Sequence, residues 1–303
     1  MIAAAVLAPP ICALLLAPML PGLINRTKAF IAGRQGSPLL QPYRDVLKYL
    51  RRGAVYGDVT SWVFRLGPVA NLATLLAALL IMPLGGIAAP LSFAGDLIVL
   101  VGLLALGRFA TVLAALDTGS SFEGMGASRE AHFAVLAEPA LLLALATLAR
   151  ASGALSLTQI YGALTPSLWL TALPSLALVA MTLLVLVLVE NCRIPVDDPT
   201  THLELTMIHE AMVLDHSGPD FAYIQYAAAL KLWLIGSLLV GLIIPVRGAW
   251  WVCFPTMLFG MAVLGAVIGM IESAMARYRL VKVPQFIVGA ATLSAVAFIV
   301  ILA

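Results

Sequence analysis

The chain has 303 residues, of which 62% are hydrophobic and only 11% charged, with a formal net charge of +2 and a mean hydropathy of +1.05. A soluble domain carries roughly 25% charged residues, so this composition excludes a water-soluble globule. The apolar surface needs lipid as its solvent, and backbone groups in lipid must be hydrogen-bonded internally, which favours helices over alternating barrel strands. The expected fold class is all-α: a polytopic membrane protein of about eight transmembrane helices with structured cytoplasmic loops, forming a single integral-membrane domain over residues 1–303.

In chain order, eight apolar stretches approach the ~20 residues that cross a bilayer as a helix. They are Ile2–Ile24, Gly67–Ile87, Leu97–Leu116, Ala131–Ala149, Leu168–Val189, Tyr226–Val246, Trp250–Ile271 and Pro284–Ala303. The first has no basic residues before it and no small-residue cleavage site before Leu23, so it reads as a retained span rather than a signal peptide. Pro9, Pro10, Pro18, Pro139 and Pro174 are each expected to bend or shorten a helix.

The connecting segments are expected at about 25–66, 117–130, 190–225 and 272–283. Arg26, Lys28, Arg34, Arg44, Lys48, Arg51, Arg52 and Arg65 all fall between spans one and two, whereas the next connection carries no Lys or Arg. The positive-inside rule then makes these four segments cytoplasmic and both termini periplasmic, in a bacterial inner membrane. Within Pro42–Arg52, Val46, Leu47 and Leu50 recur between charges, as in an amphipathic surface helix. Such a helix serves as an anchor on anionic lipid or as a docking surface for a soluble partner. The segment after span five is acidic, with Glu190, Asp197, Asp198, Glu204, Glu210, Asp215 and Asp220 against a single Arg193. Its interleaved Leu203, Leu205, Met207, Ile208, Met212, Val213 and Leu214 imply that part of it re-enters the protein.

Ionisable residues in or at the rims of spans are costly and mark pathways or pairing. They are Arg108, Glu130, Glu138, Glu190, Lys231 and Glu272. Glu130, Glu190 and Glu272 stand near helix ends, where pairing or solvation accounts for them. Arg108, Glu138 and Lys231 sit deeper and are suited to a protonatable relay, because opposite charges lower one another's charging cost. The spacing of Glu130, Ala134 and Glu138 puts both acids within about a quarter-turn of one helix face.

Cys12, Cys192 and Cys253 are widely separated, so this chain holds no iron–sulfur cluster or disulfide framework of its own. His209-Glu210 does not complete H-E-x-x-H, since Val213 occupies the fifth position, and a zinc site is not expected. Gly124-Met125-Gly126 is expected in a short loop without a preceding strand and is no nucleotide fingerprint. The absence of an internal repeat weakens an inverted-repeat transporter.

Gly33-Arg34-Gln35-Gly36-Ser37-Pro38, followed by Gln41-Pro42-Tyr43-Arg44-Asp45-Val46-Leu47-Lys48, resembles the first loop of the complex I subunit 1 family. Leu116-Asp117-Thr118-Gly119-Ser120-Ser121-Phe122, with Gly126-Ala127-Ser128-Arg129-Glu130 and Glu138-Pro139, is similar to the version found in formate hydrogenlyase and related group 4 membrane-bound hydrogenases. Glu190-x-x-Arg193-x-Pro195-x-Asp197, with Glu204-Leu205 and Ser217-Gly218, resembles the family's acidic third cytoplasmic loop. Thr200 and His202 stand where the familiar pattern has glutamates, which puts a quinone site and the full proton path in doubt.

The resemblance implies a non-catalytic subunit that anchors a soluble electron-transfer arm and links redox events to proton or sodium movement. The proton- or ion-coupling candidates it implies are Asp117, Glu130, Glu138, Glu190, Asp197, Glu204, Asp215 and Lys231. Arg34, Arg44, Arg108, Arg129 and Arg193 are the charge-pairing or docking candidates. No cofactor or metal is expected in this chain; iron–sulfur clusters, with or without nickel–iron, belong to partner subunits. The implied partners are soluble iron–sulfur and hydrogenase-like subunits on the cytoplasmic side, antiporter-like membrane subunits and lipid, with no nucleic acid. A quinone-site subunit of a complex I-like dehydrogenase, a self-contained secondary transporter and a purely structural anchor are the alternatives.

Overall fold

The computed structural model describes residues 2–84, 86–197, 207–245, 248 and 250–303. In chain order its helices are α1 (Ile2–Leu16), α2 (Met19–Ile31), α3 (Gln41–Leu50), α4 (Trp62–Ile81), α5 (Asp96–Asp117), α6 (Ser121–Ser152), α7 (Leu157–Ala163), α8 (Pro166–Thr171), α9 (Leu173–Glu190), α10 (Gly218–Ile243), α11 (Trp250–Ala274) and α12 (Val283–Leu302). Short 3-10 turns occupy Glu210–Val213 and Leu280–Lys282. Among the described residues there is no strand, only an isolated bridge between Leu84 and Ile87.

Seven helices among the described residues are long and apolar enough to cross a membrane. An eighth span arises if Pro9–Leu16 and Met19–Ile31, bent by 46°, count as one. The chain is therefore an all-α polytopic membrane protein. The bend falls at Ala17-Pro18, where proline cannot supply the N–H that would continue the helix. α10 is the most enclosed, with 72% of its apolar window buried, against 22% for the last helix. It packs on α4, α9, α11 and the surface helix α3, while α12 lies outside against α6 and α9.

Close helix approach in lipid depends on small residues, because apolar side chains gain nothing by leaving lipid for one another. The α4–α5 pair illustrates this. A Cβ on Gly67 would stand 2.5 Å from the Ala114 methyl, and one on Gly107 would stand 2.5 Å from Thr74 Oγ1. Alternation of the spans gathers the starts of α4, α6, α10 and α12 and the ends of α5, α9 and α11 at one end, beside α3. We call this the charged end.

Three expectations change, the first being that Pro9 and Pro10 do not shorten a helix but stand inside α1, which runs on to Leu16. Residues 121–130, including Gly124 and Gly126, are not a loop but the first turns of the 32-residue α6. Glycines disfavour a helix by about 1 kcal/mol each, and tertiary contact offsets that cost: Glu123 Oε1 accepts from the Asp215 backbone N–H at 2.9 Å, and Gly126 packs against Ile208 O and Ala211. The stretch Leu168–Val189 is broken at Ala172 into α8 and α9. Pro174 stands in the first turn of α9, where its missing N–H costs nothing. Pro139, by contrast, lies on the exposed side of α6 without interrupting it.

Candidate ion-coupling site

Four spans contribute to one charge cluster around Arg108. Arg108 of α5 reaches Glu138 of α6 at 2.5 Å through Nη1, Glu130 of α6 at 3.2 Å through Nε, and Glu190 of α9 through Nη2. Lys231 of α10 completes the cluster, its Nζ 3.8 Å from the same Glu190 oxygen. The eight-residue spacing of the two α6 acids puts both on the face toward α5, so one arginine fork holds both. The side chains of Arg108, Glu130 and Glu190 are nearly enclosed, whereas that of Glu138 is 34% exposed. The relay expected from Arg108, Glu138 and Lys231 thus has its members together, and it takes in Glu130 and Glu190 as well.

With all groups ionised, three carboxylates and two cations leave one negative charge on the cluster. A single proton makes it neutral. An enclosed net charge is unfavourable, and one added proton would remove it.

Three cavities adjoin the cluster. A cleft of about 250 Å³ lies between α2, α3 and α10 and is lined by Pro18, Pro42, Asp45, Glu190, His209 and Lys231, among others. A void of about 20 Å³ lies deeper, against Asn71, Thr111, Arg108, Glu130, His209 and Lys231. Another of about 10 Å³ touches Arg108, Glu130, Glu190 and Cys192. The 20 Å³ void has room for one water and the 10 Å³ void is at the lower limit.

A second charge network lies nearby. The enclosed Glu272 carboxylate of α11 pairs with Lys28 of α2 at 2.8 Å and with Arg193 at 3.5 Å. Asp197 accepts from Arg277 at 2.8 Å and from the Ile208 backbone N–H at 2.9 Å. Glu190 and Arg193 are three residues apart yet serve different networks, so the segment after α9 joins them. Arg129 ties the same segment to α6 by donating to Met207 O at 2.8 Å.

Other expected residues have different surroundings. Asp117 is away from the cluster and caps α4, accepting from the Ser61 N–H at 2.6 Å, the Ser61 hydroxyl at 2.7 Å and the Phe64 N–H at 3.2 Å. Asp215 is exposed, and its backbone, not its carboxylate, bonds Glu123. Arg34 and Arg44 are exposed at the charged end, where Arg34 lines a surface groove with Arg26 and Phe30. Glu204, Asp198 and the Thr200 and His202 departures lie outside the described residues, as do Leu203 and Leu205. The expected re-entry does hold for Met207, Ile208, Met212 and Val213, all buried, whereas Leu214 is 46% exposed.

The Ser217-Gly218 pair fastens the first loop. Ser217 Oγ accepts from the Val55 N–H at 2.9 Å and donates to Val55 O at 3.3 Å, and Gly218 sits against the Gly53 backbone with φ at 55°. His216 stacks on Phe64 of α4, ring centroids 3.9 Å apart and planes 7° from parallel. Burial pushes His216 down to about 4. His209 is also held down to about 4, by burial first and then by Lys231. Burial raises the Cys192 thiol well above its ordinary value, which keeps it protonated and unreactive. Among the described residues no three His, Cys, Asp or Glu side chains are grouped to hold a metal ion.

Sequence reasoning gave no role in this site to His209, Asn71 or Lys28. Asn71 lies within an apolar run, and His209 stands out in the sequence only as a partial metal-motif match. The signal available for both was a polar residue between buried apolar neighbours.

The sequence matches the family model described as NADH dehydrogenase over residues 3–303. Formate hydrogenlyase subunit 4 of Escherichia coli is 33% identical over 290 residues, 92% of this chain and 93% of that protein. Hydrogenase-4 component C of Escherichia coli is 34% identical over 240 residues, covering 79% and 74% of the two chains. An NADH-quinone oxidoreductase chain of Rubrobacter xylanophilus is 27% identical over 190 residues, 62% of this chain and 56% of that one. A chain in the structure of the membrane-bound sulfane sulfur reductase, an archaeal respiratory membrane complex, has the same fold with a TM-score of 0.84 and 20% identity over 99% of both chains. The order of motifs, the bundle and these matches agree: the chain belongs to the NADH dehydrogenase family, the complex I subunit 1 family.

Proposed function

We propose that this protein is the membrane anchor and ion-coupling subunit of a complex I-like redox complex of the formate hydrogenlyase and hydrogenase type. The observation that carries the reading is the sharing of Arg108 among Glu130, Glu138 and Glu190, with Lys231 on the same Glu190 oxygen. A structural ion pair needs one partner of each sign. Three acids on one guanidinium give a proton three alternative places to sit.

In this reading the charged end faces the cytoplasm, as its Lys and Arg content favours. Soluble iron–sulfur and hydrogenase-like subunits dock there, on α3 and the segment after α9. A change of charge or position in that arm reaches Glu190 through its chain neighbours Asn191, Cys192 and Arg193. Movement of Glu190 relative to Arg108 alters which carboxylate keeps the proton. Glu138, the most exposed of the three acids, is the group that exchanges with a neighbouring antiporter-like membrane subunit. Electrons stay on the partners' iron–sulfur clusters, with or without nickel–iron.

The test is Glu138→Gln in the complete complex, reconstituted in vesicles. Assembly should be retained and ion movement per electron should fall by roughly tenfold or more. Pumping equal to that of the unaltered complex would refute the assignment.

The 250 Å³ cleft between α2, α3 and α10 favours a second reading, a quinone-site subunit of a complex I-like dehydrogenase. A quinone analogue that binds the complex and is displaced by lining-residue substitutions such as Tyr226→Ala would support it.

A further inference from the structure

His209 and Lys231 line both the 250 Å³ cleft and the inner void of about 20 Å³ beside Arg108 and Glu130. These two side chains are shared by both linings and so stand between the two spaces. Lys231 Nζ is engaged with Glu190 at 3.8 Å. His209 has the complementary chemistry, since a neutral imidazole accepts a proton on one ring nitrogen while its other nitrogen carries a proton to give.

Its placement is fixed by packing. His209 lies between buried Ile208 and the 3-10 turn Glu210–Val213, where its carbonyl accepts from the Met212 N–H at 3.1 Å. Ala211 of that turn packs on Gly126 of α6. The ring is therefore carried on a clamped backbone rather than a free loop. The groups around it are Lys231, Glu130 and Arg108, with Glu190, Asp45 and Arg193 across the cleft.

We propose that His209 is the proton-relay residue between the cleft and the Arg108–Glu130 end of the cluster. The proposal rests on the coupling reading and names the side chain that passes a proton toward Glu130, the acid of the cluster that lines the inner void and not the cleft. Water in the cleft gives a proton to one nitrogen as the other gives its proton to water in the inner void, from which Glu130 takes it. Rotation of the ring, or the reverse passage of a proton, restores the starting tautomer, so nothing is consumed. The low His209 value suits this role: the cation does not accumulate beside Lys231, and the ring stays free to accept again.

The test uses the complete complex in vesicles, reading protons moved per electron. His209→Gln keeps a polar side chain but removes the relay, and the ratio should fall by roughly tenfold or more. In His209→Gly, added imidazole should restore it, whereas 1-methylimidazole, which fills similar space but has no second exchangeable nitrogen, should not. A normal ratio in His209→Gln overturns the proposal, as does equal rescue by the two imidazoles or an unaltered complex that moves sodium and no protons. Glu138→Gln in the same preparation separates the two claims. If it is uncoupled while His209→Gln is normal, the relay fails and the coupling reading stands; if both are normal, the coupling reading fails as well.

Discussion

Lys231 Nζ stands 3.8 Å from Glu190 Oε2, the same oxygen that accepts from Arg108. Glu190 is therefore held by two cations on two helices, while Glu130 and Glu138 share Arg108. Arg108→Leu leaves two of the three acids without their cation, and an uncompensated buried charge costs about 3–5 kcal/mol. Lys231→Met leaves Glu190 with Arg108. The thermal midpoint in detergent should fall much further for Arg108→Leu than for Lys231→Met, and equal midpoints would contradict this division of roles.

Gly218 is pressed against Gly53 with φ at 55°, and an added Cβ would stand 2.6 Å from Gly53 O. Gly218→Ala must move one of the two backbones and also strains its own, together about 1–3 kcal/mol. Hydrogen exchange should accelerate at Gly53–Val55 and around Ser217 while the interiors of α5 and α6 keep their protection.

His216 is buried on Phe64 and is neutral in the folded chain, with its value lowered from 6.5 to about 4. The unfolded chain binds this proton more readily. The stability conferred by the neutral ring is thus full above about pH 6.5 and is lost as pH falls toward 4. The difference amounts to roughly 3 kcal/mol. His216→Phe should flatten the decline of the thermal midpoint between pH 6.5 and 4, measured against the unaltered chain.

Asp117 supplies the cap of α4 from the end of α5. Asp117→Ala should cost about 1–2 kcal/mol and loosen the first turn of α4. Asp117→Asn, which keeps an acceptor, should recover part of it. Hydrogen exchange at Val63 and Phe64 measures both.

The bundle was legible because its signals are local. Each span is a run of apolar residues, and the α6 spacing of Glu130 and Glu138 directly predicts a shared face. The partners were less legible, since no local pattern says that Arg108 meets Glu190, 82 positions away. Gly124 and Gly126 misled because glycine marks a loop by propensity, whereas the contacts of Gly126 with Ile208 and Ala211 and of Glu123 with Asp215 hold this stretch in α6. Asp117 was legible as a motif member, but its capping role depends on the fold bringing Ser61 to it. His209 was obscured by its partial match to a metal motif, and only the cavities on its two sides give it a role.

The central claim is that the acids around Arg108 change protonation during turnover. The most direct measurement is a redox-triggered infrared difference spectrum of the complete complex, with Glu130→Gln, Glu138→Gln and Glu190→Gln examined alongside it. The coupling reading predicts a protonated-carboxyl band in the unaltered complex that shifts or disappears in at least one of these variants. A spectrum in which no carboxyl band responds to any of the three substitutions would contradict it.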